Sequence, residues 1–143
     1  MAAIAVANEP ATASATPGVS DPARSRIDYM LHCQGCHGPD GSGTRDGVVP
    51  KLEDQLAKFL TVPGGREFLV QVPGSANAAL PADRLAAVLN WMVLTFDSSN
   101  VPADFSAYSA DEVAKFRSTP LSDVSKVRAE LIKMIEASNT GSR

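Results

Sequence analysis

The sequence predicts an all-α protein, and three observations carry this prediction. The chain has 143 residues, which is close to the size of one compact domain. Apolar residues recur at helical spacing in several segments, and turns rich in glycine, proline or serine separate them. No segment alternates between apolar and polar residues clearly enough to indicate a strand. Since 44% of the residues are apolar and 20% are charged, the composition is that of a globular protein.

The N-terminal residues are expected to form a flexible leader. Residues 1–20 are rich in small and polar side chains and carry one charge, Glu9, so they bury too little to offset the entropy of ordering them. The tripeptide Ala5-Val6-Ala7 has the small-x-small pattern that signal peptidase accepts. The leader is therefore interpreted either as the remnant of an export signal or as an arbitrary alanine-rich end.

The first helix is expected to begin at Asp21 and Pro22, an N-cap followed by proline at the first helical position. Its apolar residues recur at helical spacing up to Cys33; they are Ala23, Ile27, Met30 and Leu31. Residues 38–50 are rich in glycine and contain two prolines, which predicts a long loop.

Short elements follow this loop. Residues 52–60 have the spacing of a short helix, which the Pro-Gly-Gly sequence at 63–65 ends. Residues 66–72 form another short apolar element, interpreted as helical despite its β-branched residues. The Pro-Gly-Ser sequence at 73–75 predicts a turn.

The clearest helix begins near Pro81 and is expected to stop before the Ser-Ser-Asn sequence at 98–100. Its apolar residues follow the pattern i, i+3, i+4, i+7, i+8 and i+11, which is the core-facing stripe of an amphipathic helix. The stripe consists of Leu85, Val88, Leu89, Met92, Val93 and Phe96.

A C-terminal helical extension, residues 98–143, is expected to pack on the preceding domain, residues 21–97. Ser109 and Glu112 have the spacing of a capping box, which opens a short helix. The inward residues of this helix are expected to be Val113 and Phe116.

A last helix is expected from around Ser122, and residues 139–143 are expected to fray. Apolar residues at helical spacing define its inward face; they are Val124, Val127, Leu131, Met134 and Ile135.

Charge and hydropathy exclude two classes of partner. The 13 Lys and Arg residues against 16 Asp and Glu give a net charge of −3, so no basic stripe exists for a nucleic-acid backbone. No apolar run approaches the roughly 20 residues that a membrane-spanning helix needs. We therefore expect neither nucleic-acid binding nor a membrane span.

One motif carries chemistry, the sequence Cys33-Gln34-Gly35-Cys36-His37. It has the CxxCH form that attaches a c-type haem. Positions i, i+3 and i+4 lie on one side of a helical turn, so two thiols can add to two vinyl groups on one edge of a porphyrin. The imidazole is then directed at the iron as the proximal ligand.

Three other interpretations of the motif are weaker. A thioredoxin-like dithiol requires a βαβ framework that this sequence does not suggest. Structural zinc needs four ligands, and the candidates Cys33, Cys36, His37 and His32 would be crowded into six residues. A disulfide closing so small a loop would add little stability. Haem attachment is the favoured interpretation.

Residues 22–96 resemble the class I (mitochondrial-type) c-type cytochromes in their bacterial form. The resemblance rests on the helix that leads into the CxxCH motif and on the glycine-rich residues that follow it. The matching segments are residues 33–43, 47–52, 65–69 and 85–91. The resemblance implies a small helical bundle around one covalently attached haem c, with the first and last helices of the matched region crossing.

The resemblance also implies roles for three further residues. The family's proline carbonyl accepts a hydrogen bond from the proximal imidazole, and this proline corresponds to Pro50, with Pro39 as the alternative. Arg66 and Trp91 are of the residue types that meet haem propionates, so a cofactor-binding role is expected for each. A surface charge and a core aromatic are the other interpretations of these two residues.

The second axial ligand is where the chain departs from the family pattern. Family members bind the other face of the iron with a methionine from the loop before the final helix, but residues 73–80 contain no methionine, histidine or lysine. We expect Met92 to be the metal ligand opposite His37, although core packing would also explain Met92. The remaining candidates are Met134, Asn77, His32 and an open site.

The function expected from these features is electron transfer by a protein that is not an enzyme. Its partners would be a periplasmic dehydrogenase or oxidase as donor and a respiratory acceptor such as a terminal oxidase. A periplasmic location is expected because haem is attached to this motif after export. The alternative is an open-site haem protein with gas-binding or peroxidase-like activity. A third hypothesis is that the extension docks the domain onto an enzyme as a dedicated subunit.

Overall fold

The computed structural model describes residues 16–141, and over this range the chain is helical with no strand, which confirms the predicted all-α fold. Residues 1–15 of the predicted leader lie outside the described residues. The α-helices of the described range are α1 (Pro22–His32), α2 (Gln34–His37), α3 (Gly65–Gln71), α4 (Pro73–Ala76), α5 (Ala82–Phe96), α6 (Ala110–Arg117) and α7 (Val124–Thr140). Two 3₁₀ helices, Leu56–Thr61 and Ser98–Asn100, complete them.

Ordered structure begins before Asp21, where the sequence placed its start. The Val19 side chain is buried, and its amide donates a hydrogen bond to the Thr16 carbonyl (3.0 Å). The Gly18 carbonyl accepts a hydrogen bond from Nδ2 of Asn90 on α5 (3.2 Å). The last residues of the predicted leader therefore pack on the helical domain.

Helix α1 begins as predicted, because the Asp21 side chain accepts a hydrogen bond from the Arg24 amide (3.0 Å). Its buried face is not the one that its apolar residues mark. Three of these are largely exposed, namely Ile27 (49%), Met30 (46%) and Leu31 (71%). The buried residues of α1 are Ser25, Asp28 and Tyr29.

An ion pair and an aromatic cluster explain why α1 packs on α5 in this orientation. The buried Asp28 carboxylate accepts two hydrogen bonds from the Arg84 guanidinium, one of them from Nε at 3.1 Å. The Tyr29 ring centroid lies 5.5 Å from that of Trp91 and 5.0 Å from that of Phe96. Because Asp28 is paired and Tyr29 fills a large volume, this face of α1 can be buried.

The apolar stripe of α5 lies in the core, as the sequence predicts. Its residues are buried except for Phe96, which is half-buried; they are Leu85, Val88, Leu89, Met92 and Val93. Helix α5 packs against both α1 and α6 and is therefore the central element of the bundle.

The short elements differ from their predictions in detail. The element expected over residues 52–60 is a 3₁₀ helix that starts later, and its Ala57 amide donates to the buried Asp97 carboxylate (2.8 Å). Residues 66–72 are helical, as interpreted, in α3. The predicted turn at 73–75 is instead the one-turn helix α4, whose first residue is Pro73, because proline is well suited to a first helical position.

Helix α6 ties the extension to the preceding domain. The Ser109 side chain accepts a hydrogen bond from the Glu112 amide (3.2 Å), as the capping box predicts. The Glu112 carboxylate pairs with the Arg66 guanidinium, and Nη2 donates at 2.8 Å. Arg66 also donates from Nη1 to the Ser106 carbonyl (2.7 Å), and its guanidinium carbon lies 4.1 Å from the ring centroid of Tyr108.

Helix α7 packs on α3 and on the first 3₁₀ helix. It is capped by Asp123, whose side chain accepts a hydrogen bond from the Lys126 amide (3.0 Å). Its buried residues are Leu131 and Ile135. The helix continues to Thr140, so the prediction of fraying from residue 139 is wrong for residues 139 and 140; residues 142–143 lie outside the described range.

Within residues 16–141, no helix combines the length and the hydropathy that crossing a membrane requires.

Candidate cofactor site

The CxxCH residues share one helical turn at the junction of α1 and α2. The Cys33 amide donates to the Tyr29 carbonyl (2.9 Å), which ends α1. The Cys33 carbonyl accepts from the Cys36 amide (3.2 Å) and the His37 amide (3.0 Å). Because i, i+3 and i+4 fall on one side of such a turn, both sulfur atoms and the imidazole lie on the same side of the chain.

This turn forms part of the wall of a cavity of about 320 Å³, a volume typical of small-molecule sites. Cys33, Cys36 and His37 all line it. The rest of the wall is mainly apolar and comes from the first 3₁₀ helix, α3 and α5; it includes Leu56, Phe59, Phe68, Leu69 and Leu89. The cavity can therefore hold a largely apolar group in contact with the motif.

The structure brings Pro50 to the imidazole of His37. Nδ1 of His37 lies 3.3 Å from the Pro50 carbonyl oxygen, and Pro50 lines the cavity whereas Pro39 does not. Burial lowers the pKa of His37, and the Pro50 carbonyl opposes this shift. The ring is thus favoured in its neutral form, with Nδ1 placed to donate and Nε2 left as the metal-binding atom.

The thiol of Cys33 is held in its protonated form. Burial raises its pKa to about 11, and the nearby Asp28 and Cys36 contribute to the rise. Redox-active and zinc-binding cysteines instead require a lowered thiol pKa. Within the part of the chain that the structure describes, no three His, Cys, Asp or Glu side chains converge to hold a metal ion. These observations disfavour the dithiol and zinc interpretations of the motif.

Met92 is the methionine that reaches the cavity. Its side chain is 6% exposed, and it lines the cavity from α5. Met134 is 39% exposed on α7, and neither it nor Asn77 lines the cavity. His32 does line the cavity, but it is exposed. Among the candidates for a second axial ligand, Met92 is the buried one.

Helix α4 supplies a part of the wall that carries no strong metal donor. Gly74 and Ser75 line the cavity there. The segment after α4 is held by Arg117 of α6, whose guanidinium donates to the carbonyls of Ala76 (3.1 Å), Ala78 (2.8 Å) and Leu80 (2.7 Å). The loop that departs from the family pattern is thus fixed by the extension.

Arg66 and Trp91 do not lie on the cavity wall. Arg66 is engaged with Glu112, Ser106 and Tyr108 at the contact between α3 and the extension. Trp91 packs against the aromatic rings of α1 and the end of α5. Their side chains therefore have structural partners elsewhere, and the structure does not place them for the propionate contacts that the resemblance implied.

The cavity wall contains two residues of the extension that the sequence did not single out for the site. Val124 and Arg128 of α7 both line it. They are separated by one helical turn, on the side of α7 that also carries Leu131. That spacing was the available signal, because Val124 and Leu131 had already been assigned to the inward face and Arg128 lies between them.

These residues fit a c-type haem. Two thiols on one turn match two vinyl groups, a buried neutral imidazole can ligate the iron, and the apolar cavity adjoins both. The residues that would hold the group are Cys33, Cys36 and His37, with the Met92 thioether available on the cavity wall.

The comparisons with known proteins agree with this donor set. A cytochrome c-552 of Thermus thermophilus is 31% identical over 107 residues, which cover 62% of this chain and 81% of the relative. A second cytochrome c-552, from a named strain of the same organism, is also 31% identical over 107 residues, with 62% of this chain and 72% of the relative covered. No family model matches the chain, and no solved structure does.

Proposed function

The chain belongs to the cytochrome c family, and we propose that it is a one-electron carrier with one haem c attached through Cys33 and Cys36. The observation that carries this proposal is the shared helical turn. It presents two thiols and a neutral imidazole to one apolar cavity, and the Pro50 carbonyl fixes the ring of His37.

The electron-transfer role follows from the chemistry of the site. Haem, when bound, supplies an iron that is reversibly oxidised and reduced by one electron. The thioether links hold the group in place, and His37 provides the proximal nitrogen. The Pro50 carbonyl accepts the Nδ1 proton and so increases electron donation from Nε2 to the metal. Members of this family transfer electrons, and we assign this chain the same role rather than an enzymatic one.

Met92 is our proposed second axial ligand. It is buried on the cavity wall, and the alternatives are exposed or lie off the wall. A methionine thioether on the distal side raises the reduction potential relative to a second histidine. Two firm axial ligands also exclude small molecules from the iron, which suits a carrier rather than an enzyme.

The location and partners of the carrier are inferred from its chemistry. Haem is attached to CxxCH motifs after export, so we place the mature protein in the periplasm. A periplasmic dehydrogenase or oxidase would supply the electron, and a respiratory acceptor such as a terminal oxidase would receive it. The extension is occupied with contacts inside the chain, through Glu112, Arg117 and Leu131, which gives less support to its use as a docking module.

A redox titration combined with carbon monoxide tests this function. The matured protein should titrate reversibly with one electron, and its reduced form should resist carbon monoxide because both axial positions are filled. The alternative of an open-site haem protein requires the opposite result. Immediate binding of carbon monoxide, with a shift of the visible bands, would replace the carrier with a gas-binding or peroxidase-like protein.

A further inference from the structure

Arg128 stands out among the cations of the cavity wall. The wall contains two of them, Lys51 and Arg128. Nζ of Lys51 is already paired, with the Glu53 carboxylate at 3.5 Å and the Asp54 carboxylate at 3.9 Å. Arg128 forms no ion pair with any carboxylate among residues 16–141. A half-buried guanidinium without a counterion indicates that a negatively charged partner is still to be supplied.

The other arginines that contact the folded core all have partners. Arg84 is paired with Asp28, and Arg66 is paired with Glu112. Arg117 donates four hydrogen bonds to backbone carbonyls of residues 76–80. The isolation of Arg128 is therefore specific to its position on the cavity wall.

The backbone that carries Arg128 is fixed at this position. Leu131, almost one turn further along α7, is buried against the core, and Ile135 is buried one turn beyond it. The segment before the helix is held as well, because the Leu121 amide donates to the Gln71 carbonyl (2.9 Å). Val124 lines the same cavity one turn earlier. The guanidinium is thus held against the cavity by the packing of its own helix.

We propose that the Arg128 guanidinium binds a propionate carboxylate of the haem. This inference rests on the proposed function, because it requires haem to occupy the cavity. Haem carries two propionates, and the apolar wall offers them no partner. Arginine matches a carboxylate with two parallel N–H donors, which a lysine cannot reproduce. The extension thereby contributes to the cofactor site the contact that the resemblance had implied for Arg66.

This contact affects the reduction potential. A propionate without a counterion adds negative charge near the iron, which favours the oxidised form. The guanidinium of Arg128 offsets that charge and so favours the reduced form. The extension therefore tunes the iron as well as covering its pocket.

The test compares four matured full-length proteins: the wild type, Arg128→Gln, Arg128→Lys and Lys133→Gln. Lys133 is exposed on the same helix, so its variant controls for a general loss of charge from α7. Each protein is weighed to establish haem attachment. Its midpoint potential is then measured, and its propionate-bending band is recorded by resonance Raman spectroscopy. Thermal unfolding of each variant establishes that the fold is kept.

We expect Arg128→Gln to lower the midpoint potential and to shift the propionate band, while Lys133→Gln leaves both unchanged. Arg128→Lys should keep most of the potential, because it keeps the charge, but should shift the band, because it loses the paired donors. Wild-type values in Arg128→Gln would overturn the inference, and so would an equal shift in Lys133→Gln. A wild type without attached haem would instead refute the proposed function itself.

Discussion

Nδ1 of His37 lies 3.3 Å from the carbonyl oxygen of Pro50, thirteen residues further along the chain. The glycine-rich loop between them curves back so that its last residue meets the imidazole of its first turn. This relationship fixes the orientation of the ring before any metal is considered, and the loop is therefore part of the site.

Gly43 is the residue on which that loop depends, and Gly43→Ala should disturb the iron. Its φ is +70°, and a Cβ there would lie 2.4 Å from the Val49 carbonyl oxygen and 2.8 Å from that of Pro50. We expect a loss of about 1–3 kcal/mol of stability. The midpoint potential should rise, because displacement of Pro50 weakens electron donation by His37. Denaturant unfolding and redox titration measure the two effects.

Gly47→Ala is the matched control for this change. Gly47 also has a positive φ, +76°, but a Cβ there meets no atom within 4 Å. It should cost about 1–2 kcal/mol from the left-handed backbone alone and leave the potential unchanged. Equal potentials in the Gly43→Ala protein and the wild type would contradict a role for the loop in orienting His37.

Met92→Leu tests the second axial ligand. Leucine keeps the apolar volume on α5 but removes the sulfur, so the core cost should stay below about 1.5 kcal/mol. The weak red-edge sulfur-to-iron band of the oxidised protein should disappear, and the reduced protein should gain rapid carbon monoxide binding. Met134→Leu should change neither property. Retention of the band in Met92→Leu would eliminate Met92 as the ligand.

Arg117→Ala should loosen the segment that follows α4. The change removes hydrogen bonds to the carbonyls of Ala76, Ala78 and Leu80, and we expect a loss of about 2–3 kcal/mol of stability. Arg117→Lys should recover little of it, because an ammonium cannot reach three carbonyls at once. Urea unfolding provides the measurement, with Lys115→Ala, an exposed change on the same helix, as the control. Full recovery by lysine would show that charge alone matters.

Glu112→Gln should destabilise the protein in a pH-dependent way. The hydrogen bond from Arg66 lowers the pKa of Glu112 in the folded chain, below the roughly 4.3 of an unfolded glutamate. The ion pair therefore contributes fully above that unfolded value, and its contribution is lost as the pH falls through the folded pKa.

The difference in unfolding free energy between the wild type and Glu112→Gln should be about 1–2 kcal/mol near neutral pH. It should shrink towards zero in acid. Glu130→Gln, an exposed change on α7, serves as the control and should show no such trend. A difference that stays constant across the pH range would mean that the carboxylate charge is not what joins α6 to α3.

The sequence predicted the helices well where periodicity and capping agreed. The stripe from Leu85 to Val93 is buried on α5, and Asp21 and Ser109 cap their helices. It failed on the face of α1, where apolar spacing marked Ile27 and Leu31 but the structure buries Asp28. That burial depends on Arg84, 56 residues away in sequence, and a local pattern cannot show such a partner.

The candidate site divides in the same way. The positions of Cys33, Cys36 and His37 on one turn follow from spacing, which is a local property. The placement of Arg66 is decided by Glu112, 46 residues further on, and the entry of Arg128 into the cavity wall is decided by how α7 packs. Both depend on tertiary contacts between the extension and the domain, which single-sequence reasoning does not resolve.

The most direct test of the account is the mass of the mature protein produced in a host that attaches haem in its periplasm. We predict a red product whose mass exceeds that of the polypeptide by one haem, and loss of the covalent haem in a Cys33→Ala, Cys36→Ala double variant. A colourless wild-type product at the mass of the bare polypeptide would contradict the account.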